Sequence, residues 1–128
     1  MKKNVTTLLL LGMLLSACTI NRLPTAGTSI SSTELKKLSD RGKVSLIDAR
    51  TDGEYKEGHI PGASLMDVLQ EANFLQHIQS LDKSKPYVVY CRSGKRSKRA
   101  MELMLQNGFK HVSDLDGGIQ GWSGPTEK

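Results

Sequence analysis

Val88-Val89-Tyr90-Cys91-Arg92-Ser93-Gly94-Lys95-Arg96-Ser97 is the stretch from which the rest of this chain is read. A short β-branched and aromatic run ends in a cysteine, a basic loop containing Gly94 follows, and an amphipathic helical pattern begins at Ser97. That order puts a thiol at the C-terminal end of a strand and in front of a helix N-terminus. Backbone N–H groups and the positive end of the helix dipole then face the sulfur and favour its thiolate. Such surroundings bring a cysteine pKa from about 8.5 toward roughly 3.5–7.5. Cys91 is the candidate nucleophile.

Five of the 18 Lys and Arg residues lie between Arg92 and Arg99. If residues 92–96 curl around the sulfur, their N–H groups make an anion-binding nest. Gly94 supplies the position that tolerates any φ. A small oxyanion (thiosulfate, sulfate, phosphate or arsenate) fits over the thiolate, with arginine forks on its oxygens. Arg92, Ser93, Gly94, Lys95 and Arg96 are therefore candidate substrate-binding residues, while Lys98 and Arg99, beyond the loop, read as surface charges. Taken singly, a cysteine in an apolar strand is more often a small buried hydrophobe, and a basic run a solvated helix face. The joint order of strand, cysteine, basic glycine loop and helix favours chemistry.

Toward the N-terminus, Lys2 and Lys3 precede an apolar stretch from Val5 to Leu15, too short to span a bilayer and matching a signal h-region. Leu15-Ser16-Ala17-Cys18 resembles the lipobox of bacterial lipoproteins, in which the peptide is cut before the cysteine and that residue is acylated. The expected organisation is a signal peptide over 1–17, a lipidated Cys18 with a flexible tether over 18–30, and a globular domain over 31–128. An ordinary signal peptide cut nearby is the alternative. Removing residues 1–17 leaves 16 basic and 13 acidic side chains, net +3. That mild excess, concentrated in one loop, points to no nucleic-acid partner.

With Cys18 acylated, Cys91 is the one remaining thiol, and an unpaired cysteine in an oxidising compartment calls for a chemical reason. His59, His77 and His111 are scattered without metal-ligand spacing, so neither a metal nor another cofactor is expected.

The polar segment Thr19 to Ile30, with Pro24 and Gly27, lacks periodicity and reads as the tether. Ser32 or Thr33 is placed to cap a short helix carrying Leu35 and Leu38. Val44 to Ala49 reads as a strand buried on both faces. Asp52 to Glu57 reads as a helical turn, Gly58 to Gly62 as a rigid turn, and Ala63 to Met66 as a short strand. One or two helices follow over Asp67 to Leu81. Tyr87 to Cys91 is the next strand, Ser97 to Asn107 a helix ended by Gly108, and His111 to Asp114 the last strand. Strands alternating with helices give an α/β domain, whose reactive residues collect beyond the carboxyl ends of its strands.

Taken together, Leu46-Ile47-Asp48-Ala49-Arg50, Glu54-Tyr55, Gly58-His59-Ile60-Pro61-Gly62-Ala63, Tyr90 to Ser97, and Leu115-Asp116-Gly117-Gly118 with Gly121-Trp122 resemble a single-domain rhodanese over Ile30 to Trp122. The resemblance implies a five-stranded, mostly parallel sheet flanked by helices. It also implies a sulfurtransferase whose loop cysteine, here Cys91, takes sulfane sulfur from a donor such as thiosulfate and passes it to cyanide or a thiol. Ser97 would cap the helix and donate to the sulfur. Asp48 and Arg50 are expected as supports of the site, Asp48 orienting the loop and Arg50 pairing with Glu54 at i,i+4 if that turn is helical. His59 reads as a backbone hydrogen-bonding residue and Trp122 as a core aromatic. The expected partners are a small-molecule sulfur donor and acceptor, and a membrane reached through the lipid; the expected unit is a monomer. Thr19 after the lipidated cysteine favours the periplasmic face of the outer membrane.

Two other functions stay open. Loops of this kind also serve phosphatases and arsenate reductases, but those resemble a wider cradle with five residues between cysteine and arginine, whereas four separate Cys91 from Arg96. A non-catalytic rhodanese-like binding module is the third reading, and the presence of the loop cysteine argues against it.

Overall fold

Two short strands, one centred on Leu46-Ile47 and one on Val88-Val89 and both bounded by turn formers, make the centre of a sheet. A computed structural model describes residues 22–128. Its strands are β1 (Ser29–Ile30), β2 (Ser45–Asp48), β3 (Ser64–Leu65), β4 (Pro86–Tyr90) and β5 (His111–Leu115). They pair in the order β1-β5-β4-β2-β3, all parallel. Helices α1 (Ser32–Asp40), α2 (Asp52–Glu57), α3 (Glu71–Gln79) and α4 (Lys95–Gln106) connect them, and a 3-10 helix covers Gly118–Gly121. The expected α/β architecture is the one found.

Val88, Val89 and Tyr90 of central β4 are buried, as befits a strand covered on both faces. Ile47, Val89 and Val112 pack with Phe74 and Ile78 of α3 and with Ala100, Leu103 and Met104 of α4. On the other face, Leu46, Val88 and Leu115 pack with Leu35 and Leu38 of α1, with Trp122 partly buried against them. The register aligns Asp48 with Tyr90 and Val89 with Asp114. Asp48, Cys91 and Asp114 therefore come to the same carboxyl edge.

Local chemistry fixes the boundaries. Ser31, one residue ahead of the expected cap, accepts the Glu34 N–H at 3.1 Å and starts α1. Thr51 and Glu54 form a capping box on α2, which buries no residue of its own. Helix α4 starts at Lys95, two residues earlier than expected, because Gly94 in a left-handed conformation (φ 117°) takes the cap position.

The tether expected through Ile30 does not extend that far. Gly27 N–H donates to the Val112 carbonyl at 2.8 Å, the Ser113 hydroxyl reaches the Thr25 carbonyl at 3.3 Å, and Ser29–Ile30 pair with β5. Residues 25–28 are thus tied to β5 ahead of the two-residue edge strand Ser29–Ile30. The expected signal peptide and Cys18 lie outside the described residues.

Candidate active site at the carboxyl edge of the sheet

Strand β4 delivers Cys91 to the sheet edge, and Gly94 turns the chain back over it. The Gly94 N–H donates to Cys91 Sγ at 3.0 Å. In the thiol form Sγ–H faces Ser97 Oγ at 3.5 Å. Burial pushes the Cys91 pKa up, but the Ser97 hydroxyl and the N–H groups of Ser97, Gly94 and Ser93 outweigh it, so the pKa is lowered on balance. Ser97 is inside the first turn of α4, not at its cap; its Oγ lies 3.1 Å from the Gly94 carbonyl. The cap position's usual work, meeting unpaired N–H groups, falls here to sulfur.

The outer side of the loop is held by the chain's last turn. Ile119 and Gln120 N–H groups donate to the carbonyls of Cys91 (2.8 Å) and Arg92 (3.1 Å). This close approach needs Gly118, whose φ is +60° and where a Cβ would collide with the Arg92 carbonyl. The sequence pattern marks Gly117-Gly118 only as part of the family resemblance and not as the seat of the loop; a Gly-Gly pair just after a strand was the available signal.

The loop cations divide into two kinds. Arg96, expected on the donor anion, instead makes a bidentate pair with Glu54, at 2.7 and 2.8 Å. Arg96 and the Thr51 hydrogen bonds hold the Glu54 carboxyl at about 2 against some burial. Arg92 and Lys95 are exposed and, among the described residues, pair with no carboxylate. They remain available to an anion.

Arg50 does not pair with Glu54. It stands before the Thr51 cap rather than on α2, so the i,i+4 geometry does not apply, and its side chain turns back onto Asp48. Arg50 Nη2 lies 2.7 Å from Asp48 Oδ2 and 2.7 Å from the Gly58 carbonyl oxygen. Asp48 thus orients Arg50, not the loop, and the pair braces the turn after α2 against the sheet. Tyr90 adds a second brace, its hydroxyl accepting the Ile60 N–H at 3.0 Å.

His59 has the backbone role read for it: Nδ1–H donates to the Tyr55 carbonyl at 3.0 Å, with the ring stacked on Tyr55. Lys98, read as an ordinary surface charge, lies 3.3 Å from the buried Asp114 carboxylate. Nothing local in sequence signalled Asp114. A cleft of about 290 Å³ beside the loop is lined by Arg50, Glu54, Glu57, Arg92, Ile119 and Gln120. Among the described residues, no cluster of His, Cys, Asp or Glu side chains is placed to hold a metal ion.

A buried thiol with a lowered pKa, facing N–H donors in a loop that also carries the exposed cations Arg92 and Lys95, has the chemistry to attack an anion. Residues 31–125 match the family described as the rhodanese-like domain. The chain is 37% identical over 99 residues to the putative sulfurtransferase YtwF of Bacillus subtilis, covering 77% of this chain and 92% of that protein. It is 30% identical over 93 residues to the thiosulfate sulfurtransferase GlpE of Pseudoalteromonas translucida, covering 73% and 86%. The solution structure of a rhodanese-like domain from an Anabaena protein superposes with a TM-score of 0.69 at 31% identity, covering 77% of each chain.

Proposed function

The chain belongs to the rhodanese-like domain family, and from that premise we propose that it is a sulfurtransferase with Cys91 as sulfur carrier. The donor is a small anion of the thiosulfate type, and the acceptor is cyanide or a thiol. The observation that carries this reading is the Cys91 sulfur, 3.0 Å from the Gly94 N–H, inside a loop closed by hydrogen bonds. Relatives named as sulfurtransferases support it.

The steps balance without an outside oxidant. The Cys91 thiolate attacks the sulfane sulfur of thiosulfate. A bond forms between the two sulfurs while the S–S bond of the donor breaks, and sulfite leaves with the electron pair. The persulfide's outer sulfur is then taken by cyanide, giving thiocyanate, or by a thiolate, giving a new persulfide, and the Cys91 thiolate returns. The N–H groups that stabilise the thiolate also stabilise the anionic persulfide, so the carrier is held in both states. Arg92 and Lys95 meet the donor's charge. With Arg96 held by Glu54, the arginine at the helix end of the loop is not free to fork a phosphoryl group, which disfavours the phosphatase-like reading. In steady state, Cys91→Ser should abolish thiocyanate formation from thiosulfate and cyanide while leaving the fold intact; turnover in that variant would refute the role of Cys91.

The leader sequence supports export and anchoring by acylated Cys18, on the periplasmic face of the outer membrane. The tether then lies between Cys18 and Thr25 and keeps a monomeric domain beside the bilayer. Cys18→Ala should lose acyl mass and membrane fractionation. A wild-type protein that carries an unmodified Cys18 in cells would overturn the anchor.

A further inference from the structure

Asp114 is a fully buried carboxylate with no task in the sulfur transfer described above. Its Oδ1 accepts from Ser29 Oγ at 2.5 Å, while Oδ2 faces Lys98 Nζ at 3.3 Å and Ser97 Oγ at 3.4 Å. The same Ser97 oxygen lies 3.1 Å from the Gly94 carbonyl and 3.5 Å from Cys91 Sγ. A hydroxyl has one hydrogen to give. In the thiol form Sγ–H donates to Oγ, and the serine hydrogen goes to Gly94 or Asp114. Once the sulfur is a thiolate, three acceptors compete for that hydrogen. The more completely Ser29 and Lys98 satisfy Asp114, the weaker its claim on Ser97.

We propose that Asp114 is a positioning residue for Cys91: together with its donors Ser29 and Lys98, it decides whether the Ser97 hydroxyl serves the sulfur or the carboxylate. This role presupposes that Cys91 is the nucleophile; whether its cargo is sulfane sulfur is a separate matter, and the test below needs no sulfur donor. Charged groups surround Cys91 from every packed element. They are Arg96 and Lys98 on α4, Asp114 on β5, Arg92 and Lys95 in the loop, Asp48 at the end of β2 and Arg50 after it, Glu54 on α2 and Asp67 before α3, with the titratable Tyr90 ahead of the cysteine on β4. Of these, Asp114 alone shares a hydrogen-bonding group with the sulfur.

Asp114→Asn removes a negative charge, ends the carboxylate's claim on the Ser97 hydrogen, and leaves Lys98 uncompensated. All three effects favour the thiolate. Lys98→Met does the reverse, since an under-satisfied Asp114 competes harder for Ser97. The experiment is the pH dependence of alkylation by iodoacetamide, read by mass at the Cys91 peptide of the full chain. Asp114→Asn should lower the midpoint by about half to one pH unit, the order expected from re-aiming one hydrogen bond, and Lys98→Met should raise it. Both shifts should shrink markedly in a Ser97→Ala background. Shifts of equal size with and without Ser97 would make Asp114 a remote charge and overturn the relay. If Asp114→Asn does not fold, Lys98→Met at the half-exposed lysine still decides, and an unmoved midpoint there would overturn it as well.

Discussion

Two buried aspartates sit on the same edge of one sheet, and they do opposite things. Asp48 ends β2 and meets the whole fork of Arg50, which is itself buried and bonded onward to the Gly58 carbonyl. Asp114, next to last in β5, meets a serine, a half-exposed lysine, and a second serine shared with the nucleophile. The first carboxylate is closed: its partners are the buried Arg50, through backbone and side chain, and the buried Tyr90 hydroxyl, and neither side chain hydrogen-bonds to the Cys91 sulfur. The second is open, because one of its partners has another acceptor to serve. Residue type and topological position are alike, so the stiffness and number of the partners decide which aspartate is a brace and which one tunes the thiol.

Breaking the closed side should cost the most. Arg50→Ala leaves Asp48 buried without its cation and should destabilise the domain by about 3–5 kcal/mol, read from the urea midpoint. The Cys91 alkylation midpoint of the surviving folded fraction should stay nearly unmoved, the converse of Asp114→Asn. A large shift of that midpoint with Arg50→Ala would erase the distinction between the two aspartates.

A smaller effect belongs to the pair that spans the two regions. Glu54→Gln loosens Arg96 and should cost about 1–2 kcal/mol, as a bidentate but partly exposed pair. Its pH signature is specific. The folded carboxyl sits at about 2 against an ordinary 4.5, so its share of stability is full above pH 4.5 and is lost as pH falls from there to about 2. Stability profiles of wild type and Glu54→Gln should therefore converge across that window. Profiles that stay parallel through it would show that Glu54 is not held down by Arg96.

The smallest expected effect separates free from pinned cations. Arg92→Ala should raise KM for thiosulfate about three- to tenfold, the scale of one exposed charge-assisted contact, and leave a neutral donor nearly unaffected. Arg96→Ala should impair both donors alike, because its guanidinium serves the loop through Glu54. The opposite pattern would return Arg96 to the donor anion.

Much of this was legible in the chain alone. The run from Val88 to Ser97 announces strand, nucleophile, loop and helix because each part carries a local signal: β-branching, a glycine, and apolar spacing. What stayed hidden depended on contacts far apart in sequence. Strand β1 has only two residues, in a polar stretch without alternation, and exists because β5 offers an edge. Ser97 looked like a cap because serine is a good one; the sulfur and the left-handed Gly94 had already taken that place. Arg50 and Glu54 have helical spacing, but the helix begins after Arg50, which frees one for Asp48 and the other for Arg96. Asp114 touches Ser97 across 17 residues, and no local rule reaches that far.

The most direct test of the central claim is a single turnover followed by mass. The protein is treated with thiosulfate, freed of excess donor, and digested under conditions that preserve persulfides. One added sulfur atom should appear on the Cys91 peptide, vanish on brief exposure to cyanide with release of an equal amount of thiocyanate, and be absent from Cys91→Ser. A sulfur that never appears on that peptide while thiocyanate still forms would contradict Cys91 as the carrier.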